Sequence, residues 1–238
     1  MSRLRIALLN AAESGDHTRR NFRREIDADL VEYDAGAGQV PPDFAFDAAV
    51  VTGSRASVYW DEPWIGSLKQ WVGDAVESGL PFLGVCYGHQ LLADVLGGRV
   101  EGMGEYEIGY RTVEHDGSVL FEGIDREFTA FTTHSDRVVE LPPGAERIAV
   151  NDYGIHGFRC GDVFTVQFHP EYDLETAETV TRAKDDQLSE ATMERVLDGI
   201  TEENYDAACE TKALFDNFTR YVRDRRHEEA RATGTAGD

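Results

Sequence analysis

Long apolar runs are missing from this chain of 238 residues, and so are abundant lysine, paired cysteines and an excess of positive charge. No stretch approaches the roughly 18 apolar residues that a membrane-crossing helix needs, so no membrane partner is expected. The opening run, Arg3-Leu4-Arg5-Ile6-Ala7-Leu8-Leu9-Asn10, has too short an apolar core for a signal peptide and no small-residue cleavage site. It reads as a strand, and a cytoplasmic location is expected. Three cysteines, Cys86, Cys160 and Cys209, with no CxxC pair, exclude a zinc ribbon and argue against a disulfide framework. There is no HExxH and no paired Cys/His spacing, so no metal is expected. Only Lys69, Lys184 and Lys212 are lysines; the rest of the 23 basic residues are arginine, against 45 Asp and Glu, for a net charge of −22. Such a surface repels phosphate backbones, which excludes a nucleic-acid partner. Carboxylate in excess with scarce lysine fits either a surface adapted to high salt or an ordinary acidic cytosolic protein.

What is present is enough for one packed core: 41% hydrophobic and 10% aromatic residues. Residues 4–9 are a short apolar run suited to a buried parallel strand, and further strands are read at 28–33, 44–51 and 80–86. Between them lie helical patterns at 16–26 and 61–79, the latter with Pro63 in its first turn and Trp64, Leu68, Trp71, Val72 and Ala75 at helical spacing. A further helix follows at once on residue 86 and closes at Gly97-Gly98. Beyond it the pattern changes to β-like runs at 108–114, 128–133, 147–151, 154–160 and 162–168, then to helices at 174–197 and 205–225. Strands alternating with helices predict an α/β fold: a single three-layer domain with a mostly parallel central sheet and flanking helices. Residues 1–200 are expected to form that domain, 201–226 a helical C-terminal extension packed on it, and 227–238 a flexible tail.

Chemistry concentrates at two places. Gly84-Val85-Cys86-Tyr87-Gly88 has small residues on either side of a cysteine at a strand-to-helix junction, the spacing of a sharp elbow that projects the middle side chain from the sheet edge. A helix start favours a thiolate, and the N–H of Tyr87 points to where an oxyanion would form. Taken alone, the pentapeptide also fits a core cysteine beside turn glycines. The second place is Phe168-His169-Pro170-Glu171. On an extended segment His169 and Glu171 share a side, so the carboxylate can orient the ring while His169 serves as base and then acid. Alone, it also fits a surface turn.

Together these blocks resemble the class I (triad-type) glutamine amidotransferases. That family's G-[VI]-C-[YF]-G-x-Q motif stands here as Gly84 to Gln90 and its F-H-P-E as Phe168 to Glu171; Thr52-Gly53-Ser54 after a strand matches a third block. The helical region after Glu171 resembles a stand-alone, GMP synthase-like subgroup. The resemblance implies a flavodoxin-like fold with no cofactor, a Cys86–His169–Glu171 triad, and oxyanion donors at Gly53 and Tyr87. It implies a glutamine contact at Gln90. Thr133-His134-Ser135-Asp136 resembles the S-H-G-D stretch that borders the substrate α-amino and α-carboxylate groups, with Ser135 where glycine is usual. Asp136 is then either the partner of the substrate ammonium or a solvated loop carboxylate; His134 reads as structural; Glu105-Tyr106-Glu107-Ile108-Gly109 stands where the family has a pocket-lining loop. The implied activity is hydrolysis of the glutamine side-chain amide through a γ-glutamyl thioester. With no Walker-type loop in the chain, ammonia would pass to a separate synthetase subunit. The alternative is a stand-alone hydrolase of γ-glutamyl peptides or amines. A non-catalytic regulatory relative is a third reading, against which the intact Cys86, His169 and Glu171 speak. Oligomeric state is left open.

Overall fold

Ile6 and Leu8 of the first strand pack on one side of the sheet and Ala7 and Leu9 on the other, the period-2 alternation of a strand buried on both faces. The computed structural model describes residues 3–13 and 16–234. Its elements in chain order are β1 (Arg5–Asn10), α1 (Asp16–Glu25), β2 (Asp29–Asp34), β3 (Ala48–Val51), α2 (Pro63–Glu77), β4 (Phe82–Val85) and α3 (Tyr87–Val95). Then follow β5 (Arg99–His115), β6 (Glu127–Glu140), β7 (Glu146–Asn151), β8 (Gly154–Cys160) and β9 (Val163–Val166). Last come α4 (Leu174–Arg182), α5 (Glu190–Asp198), α6 (Glu202–Ala208) and α7 (Ala213–Gly234).

The strands form one mixed sheet in the order β2-β1-β3-β4-β9-β8-β7-β5-β6. The first five are mutually parallel in a 2-1-3-4-5 flavodoxin-like order, with β9 as the fifth. The remaining pairings are antiparallel, so the central sheet is parallel in one half and antiparallel in the other. One face is covered by α1 with the Ile26 that follows it and by α7, through Phe22, Ile26, Leu214, Phe215, Phe218 and Val222. The opposite face is covered by α2 and α3, through Leu68, Trp71, Val72, Leu91 and Leu92. A smaller cluster of Ile108, Phe131, Ala177 and Val196 seats α4 and α5 on β5 and β6. Among the described residues no helix is long and apolar enough to cross a membrane.

Several boundaries differ from the sequence reading. β3 starts at Ala48, four residues late, because the chain at Phe44–Phe46 turns back on itself (Phe46 N to Phe44 O, 2.7 Å). The strand expected over 162–168 stops at Val166. The helix expected over 174–197 is two helices, since the Ser189 hydroxyl caps a new one by accepting from Thr192 N–H; Thr201 likewise caps α6 through Asn204 N–H. The terminal helix runs to Gly234, where a flexible tail was expected from 227; positions 235–238 of that tail lie outside the described residues.

Candidate active site

The carboxyl ends of β1, β3 and β4 converge at the strand-order reversal, the place where parallel α/β sheets leave a crevice. Cys86 follows β4 directly and caps α3 with φ +54° and ψ −101°. It is the one non-glycine residue with positive φ among the described residues, a conformation that an L side chain holds only when its surroundings impose it. The flanking glycines explain how. A Cβ at Gly84 would sit 2.5 Å from the Gly88 carbonyl oxygen, and one at Gly88 would sit 2.3 Å from the Val51 carbonyl oxygen. Only hydrogen fits at either site, so strand, elbow and helix close tightly around the thiol. Cys86 N–H is held by Val166 O at 2.8 Å. Tyr87 is the first helical residue, so its N–H has no carbonyl partner within the helix.

His169 and Glu171 come to the same point from the end of β9. The pair sits on a turn and not on an extended strand: Tyr172 N–H reaches back to His169 O at 3.4 Å. The expected side-sharing is thus achieved by a bend at Pro170. His169 Nδ1 donates to Glu171 Oε1 at 2.9 Å, both side chains being almost fully buried. The ring stacks on Tyr172, 4.1 Å between centroids. Burial opposes charge on the ring, yet the Glu171 carboxylate and the Cys86 sulfur more than offset it and lift the His169 pKa to about 10. Gly53, beyond β3, completes the enclosure: a Cβ there would lie 3.0 Å from His169 Cε1 and 3.7 Å from Cys86 Cβ.

Two chambers meet at Cys86. The larger, about 250 Å³, is bounded by Gly53, His169, Glu171, Tyr172, Thr179 and Lys184. The smaller, about 30 Å³, is bounded by Gln90, Tyr106, Ser135, Asp136 and Lys184. Gln90 Nε2 donates to Asp136 O (3.0 Å) and Gln167 Oε1 (3.1 Å). Asp136 is not a solvated loop carboxylate: it lies within β6, only 6% exposed. Its oxygens accept from the hydroxyls of Ser57 (2.5 Å) and Tyr59 (2.9 Å). Ser135 is absent from the positive-φ residues, so a side chain there meets no backbone objection.

Glu107 belongs to a wide bulge of β5, where the register jumps from Gly102 opposite Asp136 to Glu107 opposite His134. Its buried carboxylate lies 2.8 Å from His134 Nε2 and 3.0 Å from His156 Nε2, and accepts from Asn151 Nδ2 at 2.6 Å. Burial raises the Glu107 pKa, but the two imidazoles reverse this and hold it well below the usual carboxylate range. Ligand-capable atoms of Glu107, His134 and His156 lie within 4.8 Å of one another; Asn151 and His156 hydrogen-bond the carboxylate, and His134 Nε2 stands at ion-pair distance from it. His134 Nδ1 in turn donates to Asp136 O at 2.9 Å, tying the network to the small chamber. His156 and Lys184 escaped the sequence reading. The first hides in a β8 sequence with no motif, the second in a polar turn, and only its being one of three lysines set it apart.

Fold and site together define an α/β enzyme architecture with a cysteine elbow beside a histidine–carboxylate pair. Among solved structures, the chain superposes on a glutamine amidotransferase from Thermotoga maritima with a TM-score of 0.78 at 24% identity, covering 93% of this chain and 99% of that one. A glutamine amido transferase from Methylobacillus flagellatus gives 0.70 at 21% identity, over 92% and 95%. At these identities the likeness establishes the fold. The family described as glutamine amidotransferase class-I matches residues 18–184, and the chain belongs to that family. GMP synthase [glutamine-hydrolyzing] of Thermomicrobium roseum is 41% identical over 124 residues, 51% of this chain and 23% of that protein. Its counterpart from Helicobacter pylori is 36% identical over the same spans. The match thus covers about a quarter of the length of these relatives.

Proposed function

We propose that the protein hydrolyses the side-chain amide of glutamine through a Cys86–His169–Glu171 triad, and that the ammonia passes to a separate synthetase polypeptide. The observation that carries this reading is the buried His169–Glu171 pair, 2.9 Å apart, facing a cysteine held at φ +54° in one cavity. The Cys86 thiolate attacks the amide carbon, and the N–H groups of Gly53 and Tyr87 receive the oxyanion. As the C–N bond breaks, the His169 imidazolium gives its proton to the leaving ammonia. Water, deprotonated by the same ring, then cleaves the γ-glutamyl thioester, releasing glutamate and restoring the thiol. Gln90, Ser135 and Asp136 border the amino-acid end of the substrate, with Asp136 oriented by Ser57 and Tyr59 for an ammonium. The acceptor-linked role draws support from the GMP synthase relatives.

A second reading, hydrolysis of γ-glutamyl peptides or amines without a partner, is favoured by the larger chamber. Ammonia, about the size of a water, needs roughly 10–15 Å³ of cavity, whereas the His169 side of Cys86 offers about 250 Å³. The test is glutamate release from glutamine and from γ-glutamyl dipeptides, with wild-type protein and Cys86→Ala. Either substrate turned over by the wild type and by no Cys86→Ala sample supports the thioester chemistry. Turnover that survives Cys86→Ala sinks it. Glutamine hydrolysis appearing only with an added synthetase selects the first reading over the second.

A further inference from the structure

Lys184 is one of three lysines in a chain with 45 carboxylates, and the other two are paired: Lys69 with Asp94 at 2.6 Å and Lys212 with Glu25 at 2.5 Å. Lys184 is the most buried of the three, 6% exposed, and makes no ion pair among the described residues; its ammonium lies 4.5 Å from the centre of the Tyr106 ring. Burial first, and then the nearby Arg55 guanidinium, lower its pKa to about 8, against the weaker opposing pull of the Cys86 sulfur and of Asp186, which lies beyond ion-pair distance. Arg55 bonds the Ala183 carbonyl and so fixes the turn that carries Lys184. Both cations line both chambers beside Cys86. A cation kept out of water with no carboxylate at ion-pair distance is costly, and the carboxylate of an arriving ligand would supply one.

Both chambers reach Lys184 and Arg55, so the side with room for a further group decides which part of a substrate carries that anion. His169 must face the leaving group to protonate it, and it lines the larger chamber. Gln90, Ser135 and Asp136 line the smaller one. The leaving group therefore enters the larger chamber, whose wall also carries Thr179, Val180, His17 and a second carboxylate, Glu13, besides the Glu171 that is paired with His169.

We propose that Lys184, with Arg55, forms a carboxylate-binding subsite on the leaving-group side of Cys86, fitted to γ-glutamyl amino acids whose departing amine carries its own α-carboxylate. This rests on the second reading above. The Cα-bearing amine leaves with the proton from His169 as the C–N bond breaks, and its carboxylate stays on Lys184 while water enters to cleave the thioester.

The test is equilibrium binding by calorimetry to the Cys86→Ala protein, which separates recognition from turnover. The ligands are γ-glutamylglycine and its amide, γ-glutamylglycinamide, which differ only in that carboxylate. Expected is at least tenfold tighter binding of the acid, a preference abolished by Lys184→Met, kept by Lys184→Arg and reduced by Arg55→Met. Arg55 is exposed, so that variant stays informative should Lys184→Met fail to fold. Equal binding of acid and amide overturns the subsite, as does a preference that survives Lys184→Met, or no binding of either compound at millimolar concentration. Weakening of acid and amide alike in Lys184→Met also overturns it, because Lys184 would then read the glutamyl end. Should the preference hold while wild-type protein releases no glutamate from γ-glutamylglycine, the subsite stands and the hydrolase reading falls.

Discussion

At the scale of single residues the site is built by exclusion. Gly88 has no room for a methyl group because the Val51 carbonyl oxygen occupies its place at 2.3 Å. That atom belongs to the backbone of a central strand and has no rotamer with which to yield. Gly88→Ala should therefore cost more than the about 1–3 kcal/mol of ordinary overpacking. Gly66, inside α2 with nothing within 4 Å of where a methyl group would stand, should tolerate Ala and gain about 0.5–1 kcal/mol. Urea midpoints of the two variants check the contrast, and equal midpoints would show that the elbow can relax. For the proposed triad, His169→Ala removes the group that moves protons while Glu171→Gln removes only the carboxylate that orients it. Glutamate-release rates should fall further for the first than for the second; equal losses would count against those roles. Glu107 is a stability residue by the same logic. Its pKa in the fold lies below its ordinary value of 4.5, so its contribution is fully present above that value and is lost as pH falls through the lower, folded one. Glu107→Gln takes the carboxylate away from two buried imidazoles and should cost about 1–3 kcal/mol at pH 7. The gap to wild type should narrow below about pH 4.5, as read from urea unfolding across pH.

At the scale of elements, the terminal helix is part of the domain's own core. Leu214, Phe215, Phe218 and Val222 pack with Leu4, Phe22 and Phe164 in one cluster, and Asn217 Nδ2 donates to the carbonyls of Leu120 and Glu122 at 2.9 and 2.8 Å. Phe218→Ala should cost about 3–5 kcal/mol, as a buried aromatic does, with the loss seen in thermal or urea unfolding of the whole chain as one transition. An early, separate transition would instead mark the helix as an independent appendage. The sequence announced this helix through its apolar spacing and missed its last turns, because beyond Val222 the chain is polar on all sides and its helicity is carried by propagation. The central parallel strands β1, β3 and β4 were legible as apolar runs because both faces are buried, whereas β2, at the sheet edge, keeps polar residues and is only partly buried. The antiparallel half was legible only in part: β5 extends over Arg99–His115, and its first half is exposed, Gly-rich and bulged, with no period to read. Of the site, Cys86, His169 and Glu171 stood in contiguous motifs. The Glu107–His134–His156 network joins β5, β6 and β8, and no local spacing encodes a contact that only the sheet brings about.

At the scale of the whole molecule, the net charge of −22 is uncompensated at long range even though many arginines are paired at short range. Arg20 bridges Asp173 and Glu175, and Arg24 meets the same Asp173 at 2.7 Å. Exposed pairs of this kind contribute about 0–1 kcal/mol each and weaken with salt. Repulsion among the surplus carboxylates also fades with salt, as the screening length shrinks from about 10 Å at 0.1 M to about 3 Å at 1 M. The two effects oppose each other, and the charge ratio of 45 to 23 decides between them: each cation can close one short contact, but every surplus carboxylate repels all the others. Raising KCl from 0.1 to 2 M should therefore raise the melting temperature. A net gain of 2 kcal/mol corresponds to about 4–8 °C for a chain of this size. Chloride is the proper probe, since sulfate would stabilise through exclusion from the surface whatever the charge. A melting temperature that falls steadily with KCl would show that the short arginine contacts outweigh the repulsion, and would favour an ordinary acidic surface over a salt-adapted one.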